Sequence, residues 1–242
     1  MTSSDMRKIE TPILMEVIAT TLSDVLAAQA GGADRIELIT GFAEGGMTPS
    51  LALIEQAVQQ AKIPFRVMIR PHARSFVYDQ DDMRTIIRDV ELAREAGAEA
   101  IVFGALTADG QVDEEALRQV LAAAGPMKMT FHRAIDEATD IMKALETILA
   151  YEGITDILTS GGAQQAVQAV DTIRRMTEIA RAQGVHILAG SGLSMDNAAA
   201  FIEQTSVNRV HFGSAVREEG NALKPIDRAR IQALRAQLAH QA

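Results

Sequence analysis

Two carboxylates, two imidazoles and a guanidinium stand within or just beyond short apolar runs of this sequence: Glu16, Glu37, His132, His211 and Arg70. Together these residue types can move protons beside an anion. Imidazole titrates near neutral pH and works with a carboxylate as general acid or base, while arginine holds an oxyanion through parallel N–H donors. Arg133 directly follows His132 in Thr130-Phe131-His132-Arg133. Three glycine–serine turns lie further on: Ser160-Gly161-Gly162, Gly190-Ser191-Gly192 and Gly213-Ser214. Glycine lets backbone amides approach an anion closely, and serine adds a hydroxyl donor. Glu16, Glu37, His132 and His211 are therefore the acid–base candidates. Arg70, Arg133, Ser160, Gly161, Gly162, Gly190, Gly192, Gly213 and Ser214 are the candidates for holding a small anionic ligand, a phosphate ester among them.

The elements that must position these groups follow from hydrophobic periodicity. Eight short apolar runs alternate with helix-forming segments. The predicted strands are Leu14–Ala19, Arg35–Ile39, Phe65–Arg70, Ala100–Phe103, Lys128–His132, Ile154–Thr159, His186–Ala189 and Arg209–Phe212. The predicted helices are Leu22–Ala30, Leu51–Ala61, Asp82–Ala96, Glu114–Ala123, Ile141–Tyr151, Ala166–Ala182, Met195–Gln204 and Ile226–Ala239. Strands recur about every 28 residues, close to the ~30 of a βαβ unit, so a single-domain (β/α)8 barrel over residues 13–242 is expected, behind a flexible arm at 1–12. An open doubly wound sheet would carry a Gly-x-Gly-x-x-Gly turn after strand one; the chain reads Thr20-Thr21-Leu22-Ser23 there. Ser23, Ser50, Asp113 and Asp140 are the expected N-caps, and Gly31-Gly32, Gly97, Gly125, Gly153 and Gly184 the expected helix stops.

Alternation along the strands sorts the candidates. Apolar sets such as Ile36/Leu38, Val67/Ile69, Met129/Phe131 and Val210/Phe212 should pack under the helices. Glu16, Glu37, Arg70, His132 and His211 should then face the barrel interior, nearest the strand C-termini, where barrel sites are found. Arg35, Arg66 and Lys128 fall lower on that face. His72 follows Arg70-Pro71 and could reach the mouth. His186 opens a strand on the opposite side, and His240 lies in the tail.

Composition excludes several classes. The 242 residues contain no Cys, which rules out disulfides, thiol catalysis and cysteine-held metal or Fe–S sites. A net charge of −9 argues against a nucleic-acid partner. No apolar run has the length of a membrane span, and a cytoplasmic protein is expected. There is no His-Glu-x-x-His. Met127-x-Met129 offers thioethers suited to Cu(I), but by alternation it shares the face of Phe131, as core filler does. The C-terminal amphipathic segment points to a homo-oligomer.

A set of short motifs, in order, resembles one family. They are Met15-Glu16-Val17, Gly31-Gly32-Ala33-Asp34-Arg35-Ile36-Glu37-Leu38, Glu44-Gly45-Gly46-Met47-Thr48-Pro49-Ser50, Met68-Ile69-Arg70-Pro71, Val102-Phe103-Gly104-Ala105-Leu106, Thr130-Phe131-His132-Arg133-Ala134 and Leu158-Thr159-Ser160-Gly161-Gly162. From about Met15 to Ala215 the chain is similar to the copper-associated CutC family. The resemblance implies a TIM barrel, a cytoplasmic location and a part in copper homeostasis or copper binding. The chain departs from that family where its members often carry Cys, after the Glu-Val of strand one and the Glu-Leu of strand two; Ile18 and Ile39 stand there. The third loop reads Arg70-Pro71-His72-Ala73-Arg74-Ser75-Phe76 where the family typically has Arg-Pro-Arg-Gly-Gly-Asp-Phe. Two functions stay open: copper handling, and acid–base catalysis on a small anionic metabolite. A barrel serving only as a binding or assembly module is a third.

Overall fold

A computed structural model describes residues 12–239; most of the predicted arm and His240 lie outside them. Eight strands form a closed parallel barrel in sequence order, and a helix follows each strand. The elements are β1 Leu14–Ala19, α1 Leu22–Gly31, β2 Arg35–Leu38, α2 Leu51–Gln60, β3 Phe65–Met68, α3 Gln80–Glu95, β4 Ala100–Phe103, α4 Glu114–Ala124, β5 Lys128–Phe131, α5 Ile141–Leu149, β6 Ile154–Thr159, α6 Val170–Ala182, β7 His186–Ala189, α7 Ala198–Thr205, β8 Arg209–Phe212 and α8 Arg228–Ala239. Short 3-10 turns at Phe42–Glu44, Arg133–Glu137 and Ser214–Val216 shape the loops at the C-terminal ends of β2, β5 and β8.

Alternation makes one face of each strand apolar, and that face is what the helices cover. Met15, Val17, Ile36, Leu38, Val67, Ile101, Phe103, Met129, Phe131, Val210 and Phe212 are all fully buried there. Burying each such side chain contributes on the order of 1.5–3 kcal/mol. Met127 and Met129 lie in this layer, away from the interior.

Local chemistry sets the helix ends. Ser50, Asp113 and Asp140 cap α2, α4 and α5 by accepting backbone N–H groups. Two expectations are corrected. Thr21, not Ser23, caps α1, because its side chain is placed to accept from Asp24 N. Asp79, not Asp82, starts α3, through a capping box the two residues share.

The register then brings distant residues side by side. Glu16 pairs with His211 across β1 and β8, and with Arg35 across β1 and β2. Directly opposed residues of parallel strands face the same way, so residues nearly 200 positions apart become neighbours inside the barrel.

The lower interior is an ionic layer. Asp156 on β6 receives Arg66 at 2.6 Å, Arg209 at 2.5 Å and Arg35 at 3.1 Å, and Arg35 also pairs with Glu16. Arg66 donates to Thr130 Oγ1 and Thr155 Oγ1 as well. Burial alone would raise the Asp156 pKa, but the three arginines outweigh it and hold the carboxyl far below its usual range. Lys128 takes no part: it opens β5 at the barrel bottom, exposed to solvent.

Candidate functional site

Above the ionic layer, at the strand C-termini, lies a cavity of about 660 Å³, the size of a small-molecule site. Its wall includes Glu37, Arg70, His132, Arg133, Gly192, His211, Gly213 and Ser214 among the residues expected from sequence. Ile18, Ile39, Phe42, Met68, Phe76, Leu158 and Leu193 supply the apolar part. Gly213 is required by close approach: a Cβ there would stand 2.7 Å from Phe42 Cζ. Ile18 and Ile39 pack with Met68, Val102 and Phe42. The two positions where the family often has Cys thus form part of an aliphatic wall.

Glu16 lies just beneath this floor and orients it. Its Oε1 is 2.8 Å from His211 Nδ1, and its Oε2 accepts from Arg35. With Nδ1–H donating to Glu16, His211 turns Nε2 toward Glu37, 3.7 Å from its Oε2. Burial would raise the Glu16 pKa, but Arg35 and the His211 hydrogen bond outweigh it and lower the carboxyl to about 2. Burial pushes Glu37 up to about 7, against the pull of His211. Burial opposes charge on His211, yet Glu37 and Glu16 together raise its pKa. The two carboxylates that flank His211 therefore hold protons differently, as acid–base pairs require.

His132 behaves otherwise than its sequence suggests. It follows β5 and caps the next turn, with Nδ1 accepting from Ala134 N–H at 3.2 Å. Burial, with help from the Arg70 charge, pushes its pKa down to about 3. The ring is neutral at physiological pH, with its proton on Nε2, a donor that has no hydrogen-bond partner. His72 is turned away from the mouth: its Nε2 contacts Asp82 Oδ2 at 3.0 Å. His186 sits at the start of β7, with Nδ1 3.3 Å from Asn208 Oδ1.

The turn after β6 already holds an anion, and that anion is the protein's own. Asp136 accepts from Ser160 N, Ser160 Oγ, Gly162 N and Thr159 Oγ1, and pairs with Arg133 Nε at 2.9 Å. Gly161 N donates to Thr159 Oγ1, and Gly190 N to Thr159 O. Ser160, Gly161, Gly162 and Gly190 therefore stand outside the cavity wall, and these donors are spent internally. Gly161 has φ +74°, and a Cβ there would stand 2.6 Å from Ala169 Cβ and 2.9 Å from Ile173 Cγ1. Gly161→Ala is expected to cost about 1–3 kcal/mol, from left-handed strain plus overpacking. Urea unfolding measures this, and a loss within the usual scatter of surface substitutions would contradict it.

Sequence reasoning missed Asp136, Asp156 and Phe76. Asp156 carried a signal, since it shares the inner face with Leu158, which lines the cavity. Asp136 and Phe76 carried none, because loop paths bring them in. Phe76 lies 4.6 Å under the Arg70 guanidinium and 4.8 Å from the His132 ring.

A closed eight-stranded parallel barrel with convergent polar groups at its C-terminal mouth defines the class, a (β/α)8 protein with a small-molecule-sized site. The chain belongs to the CutC family, whose family model matches residues 13–216. A CutC family protein of Glaesserella parasuis is 37% identical over 217 residues, 90% of this chain and 88% of its own length. The human copper homeostasis protein cutC homolog is 38% identical over 208 residues, 86% of this chain and 76% of its own length. A crystal structure of CutC from Streptococcus agalactiae superposes with a TM-score of 0.77 at 30% identity, covering 82% of this chain and 97% of that one. Among the described residues no helix is long and apolar enough to cross a membrane.

Proposed function

We propose that this chain serves copper homeostasis in the cytoplasm, the role named for its human relative, and that it takes copper as a divalent ion at His211 and Glu37. The observation that carries this is the Glu16–Glu37–His211 cluster, whose ligand atoms lie within 4.8 Å of one another. Glu16 fixes the imidazole through Nδ1, as carboxylates behind metal-bound histidines do, and Nε2 is left facing Glu37. Glu37 Oε1 is buried without a hydrogen-bond partner, as suits a carboxylate that accepts a cation or a proton. The donor set is imidazole and carboxylate, which suits Cu(II). Cu(I) prefers thiolate and thioether; the sequence has no Cys, and Met68 is the one methionine on the cavity wall. Thiolate-held Cu(I) does not fit these residues.

Cu(II) titration followed by electron paramagnetic resonance tests this, beside anaerobic Cu(I) competition against a chromophoric chelator. One coordinated imidazole nitrogen is expected, lost in His211→Ala. Binding should tighten as pH rises through neutrality, because Glu37 and His211 must release protons first. Cu(II) binding that survives His211→Ala, or tight Cu(I) binding, would overturn the assignment.

A second reading is favoured by a different observation. Glu37 Oε1, Arg70 Nε and His132 Nε2 are buried without partners, and all three residues line one cavity. Such a wall suits a small anionic molecule, with Glu37 and His211 exchanging protons with it.

A further inference from the structure

We propose that the Arg70–His132 side of the cavity is a subsite for a small-molecule carboxylate, with the Arg70 guanidinium and the Nε2–H of His132 as its two donors. The proposal deepens the second reading above, naming the ligand's charged group.

The first observation is a charge left over. Four arginines are buried: Arg35, Arg66, Arg70 and Arg217. Arg35 and Arg66 pair with Asp156, and Arg217 pairs with Asp24 at 3.0 Å. Arg70 pairs with no carboxylate among the described residues. Its NH1 donates to two neutral carbonyls, Glu44 O at 3.0 Å and Gly46 O at 3.2 Å, and its Nε has no partner. A buried cation without a counter-charge is costly, and this one lies on the wall of a cavity. An anion entering there would supply the missing charge.

The second observation concerns the neighbour. His132 Nδ1 is occupied by the Ala134 amide, so the ring's proton sits on Nε2, which is buried and unpartnered. Phe76 contacts both groups, lying against the guanidinium and the imidazole together. The pair is one cation and one neutral donor held on one aromatic side chain, and its net charge is +1.

That charge and donor count select the class of anion. A phosphate dianion is usually met by several backbone amides at a glycine-rich turn. Of the three glycine–serine turns, the one after β6 is filled by Asp136, which also engages Arg133, and the Arg70–His132 side offers a guanidinium and an imidazole in place of amides. A planar monoanion needing two donors matches what remains. The wall beyond, Ile18, Ile39 and Met68, is apolar, so the rest of the ligand carries carbon.

Pyruvate, lactate and inorganic phosphate serve as probes. The imidazole 15N–1H spectrum of the whole protein reports His132 Nε2–H directly, and isothermal titration gives affinity. Pyruvate or lactate should shift the Nε2–H resonance and bind at least about tenfold more weakly to Arg70→Gln, the loss expected for a charge-assisted hydrogen bond. Phosphate should do neither. Should Arg70→Gln loosen the Glu44–Gly46 loop, the wild-type spectrum alone still decides. An unmoved Nε2–H at saturating carboxylate, undiminished affinity in the variant, or phosphate binding as well as the carboxylates would each overturn the subsite. Carboxylate binding with no chemical conversion would sink the acid–base reading and leave the subsite standing.

Discussion

Asp156→Ala lowers stability by roughly 3–5 kcal/mol, the largest effect expected of any single substitution here. The carboxylate receives three arginines, of which Arg35 and Arg66 are nearly inaccessible to solvent. Removing it leaves Arg35 with Glu16 alone, and leaves Arg66 and Arg209 without any carboxylate partner among the described residues. Breaking a buried pair costs more than the pair is worth, because the surviving charge stays desolvated. Asp156→Asn keeps the shape and loses the charge, so it should fall nearly as far as the alanine variant. Urea unfolding at pH 6 separates the cases: a loss under about 1 kcal/mol in both variants would show that water replaces the carboxylate at little cost. The loss should also grow smaller in acid. The native pKa of Asp156 lies below its unfolded value, so its contribution is present above pH ~4 and is lost as pH falls through the native pKa.

Glu37→Gln is expected to stabilise the metal-free protein at pH 8, by up to about 3 kcal/mol, and to change little at pH 5. Burial raises the native pKa of Glu37 from 4.5 to about 7, and every tenfold weakening of an acid on folding corresponds to about 1.4 kcal/mol. A raised acid favours folding below its unfolded pKa, and that advantage is lost as pH rises through its native one. His211, also raised, has the same sign. Glu16, lowered to about 2, has the opposite one and acts only in acid. Wild-type stability should therefore peak at pH ~4.5–5 and decline toward pH 8. The Gln variant should decline less. Equal slopes for the two proteins in chelator-treated buffer would show that Glu37 is solvated in the native state.

Much of the barrel was legible in the sequence. β1 and β6 run over the predicted residues, because their alternation is bounded by turns on both sides. β2, β3 and β5 stop one or two residues early. There the chain leaves the ladder to build the mouth, which places Ile39, Arg70 and His132 on the cavity wall. Inner-face parity found Glu16, Glu37, Arg70, His132 and His211. It could not give the protonation of His132, which depends on burial and a cap. Nor could it show that the glycines after β6 serve Asp136, since nothing in the spacing of residues 136 and 160 predicts their meeting. Glycine-rich turns signal that amides converge, without saying on what.

Glu16 grips Arg35 with one oxygen and His211 with the other, so it is at once part of the barrel's foundation and part of its working floor. Drift at this position cannot be neutral: a change that retunes the mouth also unsettles the layer below. The same joint runs in reverse. Whatever ligand draws on His211 alters the load on Arg35 and, through it, on Asp156, so occupancy of the mouth should be felt as rigidity at the far end of the barrel. New specificities in this scaffold would then arise more readily from the Phe76 side of the mouth, where the wall is a loop and carries no strut of the fold.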